Sequence, residues 1–193
     1  MQKIKLFRPR GRSKIGLLQI YNRYIAKNII RWLLAEIMKR SIQLIISLAL
    51  PLMVGALASF FTVASVKGWY ATIQKPSFNP PNSIFAPVWS LLYVMMGIAF
   101  YLVWIKKTES KLKTTAILFY CIQLALNFCW SLIFFYGQQP GWALVDIVLL
   151  WIMIAGTIYY FSKISKPAAW MLVPYILWVS FATALNFAIW KLN

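Results

Sequence analysis

The sequence predicts an all-α membrane protein, a bundle of five transmembrane helices with a Pro-rich loop at one end. Of its 193 residues, 62% are hydrophobic and only 12% are charged. A soluble domain is about 45–50% apolar and about a quarter charged. The chain also contains five apolar runs that reach the roughly 20 residues needed to cross a bilayer. These observations place it in a membrane.

Polar or helix-breaking segments separate the five runs. The first break is the loop opened by Gly68, and the later ones are the Lys-rich segment 106–113, QQPG (138–141) and SKISKP (162–167). Two prolines fall inside runs, where neighbouring helices or Ser and Thr can satisfy the freed carbonyl groups. The predicted spans are residues 42–66, 86–105, 114–136, 141–161 and 168–190.

Residues 1–41 are predicted to form a basic extension that precedes a transmembrane domain of residues 42–193. Eleven of the 20 Lys and Arg residues lie in 1–40. The stretch YIAKNIIRWLLAEIMKR (24–40) fits an amphipathic helix on the membrane surface, with basic side chains toward anionic headgroups. A transit peptide fits less well, because Ser13 is the only serine before residue 41. The net charge of +17 therefore indicates lipid rather than nucleic acid as the partner.

Charge also predicts the orientation of this multi-pass integral membrane protein. Ten Lys and Arg residues lie near the membrane on the N-terminal side, against three on the other side. By the positive-inside rule, the N-terminus faces the cytoplasm if the protein is in a cell membrane. In an organelle membrane, the inner side would need to be redefined. The Pro-rich loop then faces away from the cytoplasm.

Several chemistries are excluded by missing side chains. There is no histidine, and the only carboxylates are Glu36, Glu109 and Asp146. Histidine is the commonest general base and metal ligand and a usual axial ligand of haem iron. We therefore expect no metal, no cofactor and no acid–base catalyst, and no charge relay for proton-driven transport.

The loop sequence KPSFNPPNSIFAPVW (75–89) contains four prolines, which lower the entropy lost when a loop holds one shape. On the loop side of the spans, aromatic and polar residues recur at helical spacing. Such a cluster predicts a pocket for a flat, apolar small molecule, with the loop as its lid. The clustered residues are Trp89 and Tyr93 in the second span, Gln123, Asn127, Trp130, Ser131 and Phe134 in the third, Trp142, Asp146 and Leu149 in the fourth, and Tyr175, Trp178, Ala182, Leu185 and Asn186 in the fifth.

Four of these residues have alternative interpretations. Trp89 and Trp142 lie near span ends, where tryptophan often anchors a helix at the interface. Asn127 fits interhelical hydrogen bonding as well as ligand contact. Asp146 either contacts a ligand or ties down the loop through a backbone N–H or Lys75. The sequence leaves these alternatives open.

Five motifs resemble those of the translocator protein family, also called tryptophan-rich sensory proteins or TspO/MBR proteins. The resemblance extends from about residue 42 to the C-terminus. The motifs are WYATIQKPSFNPP (69–81), APVWSLLYVMMG (86–97), YCIQLALNFCWSLIFF (120–135), GWALVD (141–146) and PYILWVSFATALNF (174–187).

The resemblance implies a five-helix bundle, often a homodimer, that binds protoporphyrin IX or a haem-like tetrapyrrole. It implies a receptor or sensor that regulates tetrapyrrole metabolism or a stress response. The alternatives are light-dependent oxidative degradation of bound protoporphyrin through Trp89 and Trp178, and transport of porphyrins, sterols or lipids. Sterol binding is doubtful, because Phe187 replaces a tyrosine of the animal sterol motif. Gly55 and Ser59 have the small-xxx-small spacing of either a dimer seam or internal packing.

By position, the family's pocket is expected to be lined by Ser59, Thr62, Phe85, Ala86, Trp89, Trp142, Asp146, Leu149, Trp178, Ala182 and Leu185. Tyr93 and Asn127 join this set from the helical pattern above. The expected lid residues are Trp69, Pro76, Phe78, Pro80 and Pro81.

Overall fold

The computed structural model describes residues 14–193, with side chains from residue 21 onward, and its regular secondary structure is helical throughout that range. Five of its helical segments are long and apolar enough to cross a membrane. The predicted five-helix architecture is therefore confirmed, and the protein is an integral, multi-pass membrane protein.

Residues 14–193 form seven α-helices and one π-helix. In chain order they are α1 (Lys14–Lys67), α2 (Trp69–Thr72), α3 (Asn82–Trp104), α4 (Ser110–Ser131), the π-helix (Leu132–Tyr136), α5 (Pro140–Ile164), α6 (Lys166–Met171) and α7 (Val173–Leu192). The spanning segments are Tyr21–Lys67, Asn82–Trp104, Ser110–Tyr136, Pro140–Ile164 and Lys166–Leu192.

The predicted ends of the last four spans agree with these bounds to within a few residues, but helix α1 begins well before residue 42. Residues 14–41 contain no proline, so nothing in their sequence ends the helix there. The chain separates into two compact units, Met1–Ser41 and Ile42–Asn193. Residues 24–40 are helical, and their contact with headgroups stays a prediction. The first 13 residues of the basic extension lie outside the described part.

The last span consists of two helices that meet at Leu172. Pro174 occupies the first turn of α7, where backbone N–H groups have no intrahelical acceptor. The missing N–H of proline therefore costs no hydrogen bond there. The amide of Ile176 then donates to the carbonyl of Leu172 at 3.1 Å. Pro174 therefore starts a helix instead of interrupting one.

The core of the unit Ile42–Asn193 is built from aromatic and aliphatic side chains of α3 to α7. Tyr120 is fully buried and stacks between Phe100, at 4.7 Å between ring centroids, and Phe161, at 5.8 Å. Offset aromatic pairs of this kind contribute about 0.5–1.5 kcal/mol beyond the area they bury. These layers fix α3, α4 and α5 against one another.

Two glycines allow α1 to approach α3 closely. A Cβ added to Gly97 would lie 2.8 Å from the carbonyl oxygen of Ser47 and 2.9 Å from Cα of Leu48. A Cβ on Gly55 would overlap the ring of Tyr93. Of the two readings of the Gly55–Ser59 spacing, the structure thus shows internal packing at Gly55.

Candidate functional site

A cavity of about 650 Å³ lies between α1, α3, the π-helix region and α7. Its wall on α1 runs from Leu52 to Lys67. Fifteen helical rises separate these residues, so the cavity extends about 22 Å along the helix. Both its volume and its apolar lining are in the range of small-molecule sites, which measure about 300–1,000 Å³.

Most of the predicted pocket residues line this cavity. Two ring pairs shape its wall: Phe85 meets Trp178 edge-on at 5.9 Å, and Trp89 stacks on Tyr93 at 5.5 Å. The first pair joins α3 to α7, and the second joins successive turns of α3. Together the four rings form one aromatic surface. The predicted residues found here are Ser59, Thr62, Phe85, Ala86, Trp89, Tyr93, Trp178, Ala182 and Leu185.

Trp178 offers a hydrogen-bond donor at this wall. Its indole Nε1 is buried and has no hydrogen-bond partner within residues 21–193. Trp178 also contacts Phe181 at 5.6 Å, so its ring is held between two phenylalanines. A buried indole N–H usually finds a partner. A ligand with an acceptor atom would supply one.

A second aromatic wall forms at the end of the third span, and it was predicted only in part. Trp130 stacks on Phe134 at 5.1 Å, and Phe135 also lines the cavity. Helical spacing had placed Trp130, Ser131 and Phe134 in the loop-side cluster, but they were not assigned to ligand contact, and Phe135 was not predicted. A turn of π-helix, which the sequence did not reveal, follows Ser131, and the amide of Gly137 donates to the carbonyl of Leu132 at 2.7 Å. Other lining residues that the sequence did not single out include Lys67, Tyr70, Asn82 and Ser90.

The Pro-rich loop is tied at both ends. The Tyr70 hydroxyl donates to Oδ1 of Asn79 at 2.9 Å, which closes the loop on itself. At the other side, Asn193 accepts from the amide of Gln74 at 2.9 Å and donates to its carbonyl at 3.0 Å. The loop is thereby joined to the end of α7.

None of the five predicted lid residues lines the cavity. Trp69 contacts Phe134 at 5.7 Å, and Phe78 contacts Phe181 at 6.4 Å. Pro76, Pro80 and Pro81 lie in the segment between α2 and α3. The cavity wall nearest the loop is made by Tyr70, Asn82 and Phe85.

Tyr70 is the anchor of the loop. Burial raises the pKa of its hydroxyl, and the hydrogen bond to Asn79 opposes that rise only in part. The ammonium group of Lys75 lies 4.8 Å above the Tyr70 ring and donates to the carbonyl of Ile73 at 3.1 Å. The phenol therefore stays protonated and can donate to Asn79 at neutral pH.

Trp142, Asp146 and Leu149 do not join the main cavity, which corrects the expectation of one pocket. They line a separate, open groove of about 480 Å³ between the π-helix region and α5. The reason is the rotation of α5, because the stripe Ala143, Ile147 and Leu150 faces the core. Trp142 is consequently 68% exposed. We name this cavity the α5 groove.

Asp146 does not have the loop-tying role that was one of its two alternatives, and its contact with a ligand stays a prediction. It is 8% exposed, and its Oδ2 has no hydrogen-bond partner within the described side chains. Lys75, the suggested partner, instead bonds to Ile73. Asp146 therefore does not tie down the loop, and it lies beside the groove and not the cavity.

Asn127 connects three helices behind the cavity wall. Its Oδ1 accepts from the Tyr93 hydroxyl at 2.8 Å, and its Nδ2 donates to the Tyr175 hydroxyl at 3.3 Å. Tyr175 donates in turn to Oε1 of Gln123 at 2.9 Å. All four residues are buried. This chain of bonds fits the interhelical alternative for Asn127, with Tyr93 between it and the cavity.

Comparison with known proteins agrees with the motifs. The profile of the TspO/MBR family matches residues 47–191. The chain is 46% identical to the "Tryptophan-rich protein TspO" of Chlorobaculum tepidum over 159 residues, covering 80% of this chain and 98% of that protein. It is 41% identical to the "Translocator protein" of Bos taurus over 145 residues, covering 75% and 86%. It is 32% identical to the "Tryptophan-rich sensory protein" of Cereibacter sphaeroides over 139 residues, covering 72% and 85%. The chain has an aromatic cavity within a five-helix bundle, and its match to the family extends over three quarters of its length. The protein therefore belongs to the TspO/MBR family.

Proposed function

We propose that this protein is a membrane receptor or sensor that binds porphyrins and similar flat hydrophobic molecules, protoporphyrin IX or a haem-like tetrapyrrole among them. Binding regulates tetrapyrrole metabolism or a stress response. The observation that carries the proposal is the cavity of about 650 Å³, which aromatic rings from three different spans line. The name of the relative from Cereibacter sphaeroides, a sensory protein, supports the same role.

The walls suit a large flat ring system. Phe85, Trp89 and Trp178 lie on α3 and α7, while Trp130 and Phe134 lie on the third span. Each ring contact contributes about 0.5–1.5 kcal/mol beyond buried area. Without histidine, binding rests on these ring contacts and not on iron ligation by an imidazole.

The binding test is a titration of the purified protein with protoporphyrin IX, followed by the Soret absorbance. The Trp178→Phe variant keeps an aromatic ring and removes the unpaired N–H. Loss of one hydrogen bond of about 1 kcal/mol should weaken binding about fivefold. Trp170→Phe is the control, because Trp170 is 72% exposed and lines neither cavity. Unsaturable absorbance changes in the wild-type protein would reject the proposal.

A second candidate is light-dependent oxidative degradation of the bound porphyrin. Trp89 and Trp178 favour it, because both oxidisable rings line the cavity where the porphyrin would lie. Trp89 also stacks on Tyr93 and meets Tyr175 at 6.2 Å, so an oxidised indole has neighbouring phenols. Under illumination in oxygen, the wild-type protein should consume porphyrin faster than the Trp89→Phe, Trp178→Phe double variant. Equal rates would reject degradation and would leave the binding proposal in place.

The remaining proposals concern the surroundings of the bundle. The ten-to-three distribution of basic residues supports a cytoplasmic N-terminus, with anionic headgroups as partners of the basic extension. The family relationship supports a homodimer. Cysteine labelling from either side of a vesicle would test the first, and cross-linking in nanodiscs the second.

A further inference from the structure

The charge distribution around the main cavity is unbalanced. Every residue of its lining falls within the described part of the chain, and among them Lys67 alone carries a charge. The three carboxylates of the sequence lie elsewhere. Glu36 pairs with Arg40 at 3.0 Å, Glu109 precedes α4, and Asp146 lines the α5 groove. The Lys67 ammonium group has no ion pair within residues 21–193.

Several other polar groups of the lining are already used. Thr62 donates to the carbonyl of Ala58, and Ser90 to that of Ala86, each at 2.8 Å. Tyr70 donates to Asn79. Asn186 accepts from Trp130 at 2.9 Å and donates to the carbonyl of Pro140 at 2.8 Å.

Among the unused polar groups, the strongest are donors. They are the ammonium group of Lys67 and the buried indole N–H of Trp178. The lining also contains Ser59, Ser131 and Asn82, which are neutral. A complementary ligand therefore supplies acceptors, and at the Lys67 end it supplies negative charge.

The position of Lys67 sets a direction along the cavity. Lys67 is the last residue of α1, next to the loop, and it is exposed. The opposite end of the α1 wall, about 22 Å away by helical rise, is formed by Leu52 and Gly55. One end of the cavity is thus apolar and the other is cationic and open to water.

We propose that Lys67 makes the cavity selective for amphiphiles with carboxylate groups at one end, and that it orients them with those groups toward the loop. This inference rests on the proposed function and names the ligand class of the same site. Neutral molecules, including esterified porphyrins and sterols, lack the group that Lys67 would bind. The other role open to Lys67 is to complement the C-terminal dipole of α1, which would be indifferent to the ligand's charge.

The test compares two ligands that differ only in charge, protoporphyrin IX and its dimethyl ester. Their dissociation constants are measured with the full chain in nanodiscs of neutral lipid. The ratio of the two dissociation constants is then compared between variants. The two ligands partition differently into the bilayer, but this difference is the same for every variant and cancels in the comparison. The variants are Lys67→Met, Lys67→Arg and Lys191→Met. Lys191 is the matched control, since it is exposed at the end of α7 and does not line the cavity.

We expect Lys67→Met to weaken binding of the acid about three- to tenfold, the range of one partly exposed charge-assisted contact, and to leave the ester unchanged. Lys67→Arg and Lys191→Met should keep the wild-type preference. A preference that persists in Lys67→Met, or that is absent in the wild-type protein, overturns the inference while porphyrin binding stands. If neither ligand binds saturably to the wild-type protein, the proposed function fails and the inference fails with it.

Discussion

The hydrogen-bond chain behind the cavity wall yields a quantitative prediction for Tyr93→Phe. The substitution keeps the ring that stacks on Trp89 and removes the hydroxyl that donates to Asn127 at 2.8 Å. Interhelical hydrogen bonds in membranes contribute about 0.6 kcal/mol on average and at most about 1.7 kcal/mol. The buried Oδ1 of Asn127 would also lose its donor, which adds to the loss. We expect a decrease in unfolding free energy of about 1–2 kcal/mol.

The assay is equilibrium unfolding by SDS in mixed micelles, followed by tryptophan fluorescence. Tyr101→Phe is the control on the same helix, because no hydrogen bond of the Tyr101 hydroxyl is found within the described residues. In an Asn127→Leu background, Tyr93→Phe should lower the unfolding free energy by less than about 0.5 kcal/mol, since its acceptor is already gone. A loss equal to that of Tyr101→Phe, or one that is unchanged in the Asn127→Leu background, would refute the reasoning.

Three further predictions concern helix contact and the loop. Gly97→Ala should lower the unfolding free energy by about 1–3 kcal/mol, because its Cβ would meet backbone atoms of Ser47 and Leu48; an unchanged SDS midpoint would contradict this contact. Asn193→Ala removes both hydrogen bonds to Gln74, so protoporphyrin should dissociate several-fold faster in stopped-flow measurements. An unchanged dissociation rate would show that the loop does not gate the cavity. Burial raises the pKa of Tyr70 above its ordinary 10.0, so the protonated phenol stabilises the fold fully below pH 10.0 and this contribution is lost as pH rises through the folded pKa. The stability of the wild-type protein relative to Tyr70→Phe should therefore decline above about pH 10 and stay level at lower pH, and a difference that stays constant through pH 10 would show that folding does not raise the pKa of Tyr70.

The sequence predicted the fold well because span length and helix breakers are local properties. Four of five spans could be bounded within a few residues from Pro, Gly and charged segments. The start of α1 could not, since the basic residues at 14–41 suggested a boundary while containing no helix breaker apart from the tolerated Gly16. Basic residues affect where a helix lies relative to the membrane more than they affect whether the helix forms.

The site was predicted only in part, because periodicity gives the face of a helix but not the neighbour it meets. Trp142, Asp146 and Leu149 do share a side of α5, as their spacing indicated. That side meets the π-helix region instead of α1 and α3, since the adjacent stripe with Ala143 and Ile147 packs in the core. Both stripes carry large apolar side chains, so the sequence did not show which of them packs in the core. Lys67 was likewise read only as a charge near the membrane.

The central claim, that porphyrin binds between α1, α3 and α7, is tested most directly by filling each cavity separately. Ala86 lines the main cavity and is exposed, and Leu149 lines the α5 groove and is 46% exposed, so both sites can accept a larger side chain. The measurement is the protoporphyrin dissociation constant, by Soret absorbance, of Ala86→Trp and Leu149→Trp proteins with matched SDS unfolding midpoints. We predict that Ala86→Trp weakens binding more than about tenfold, since it occupies the ligand's space, and that Leu149→Trp leaves the constant within about twofold. Weaker binding in Leu149→Trp with wild-type binding in Ala86→Trp would contradict the account and assign the porphyrin to the α5 groove.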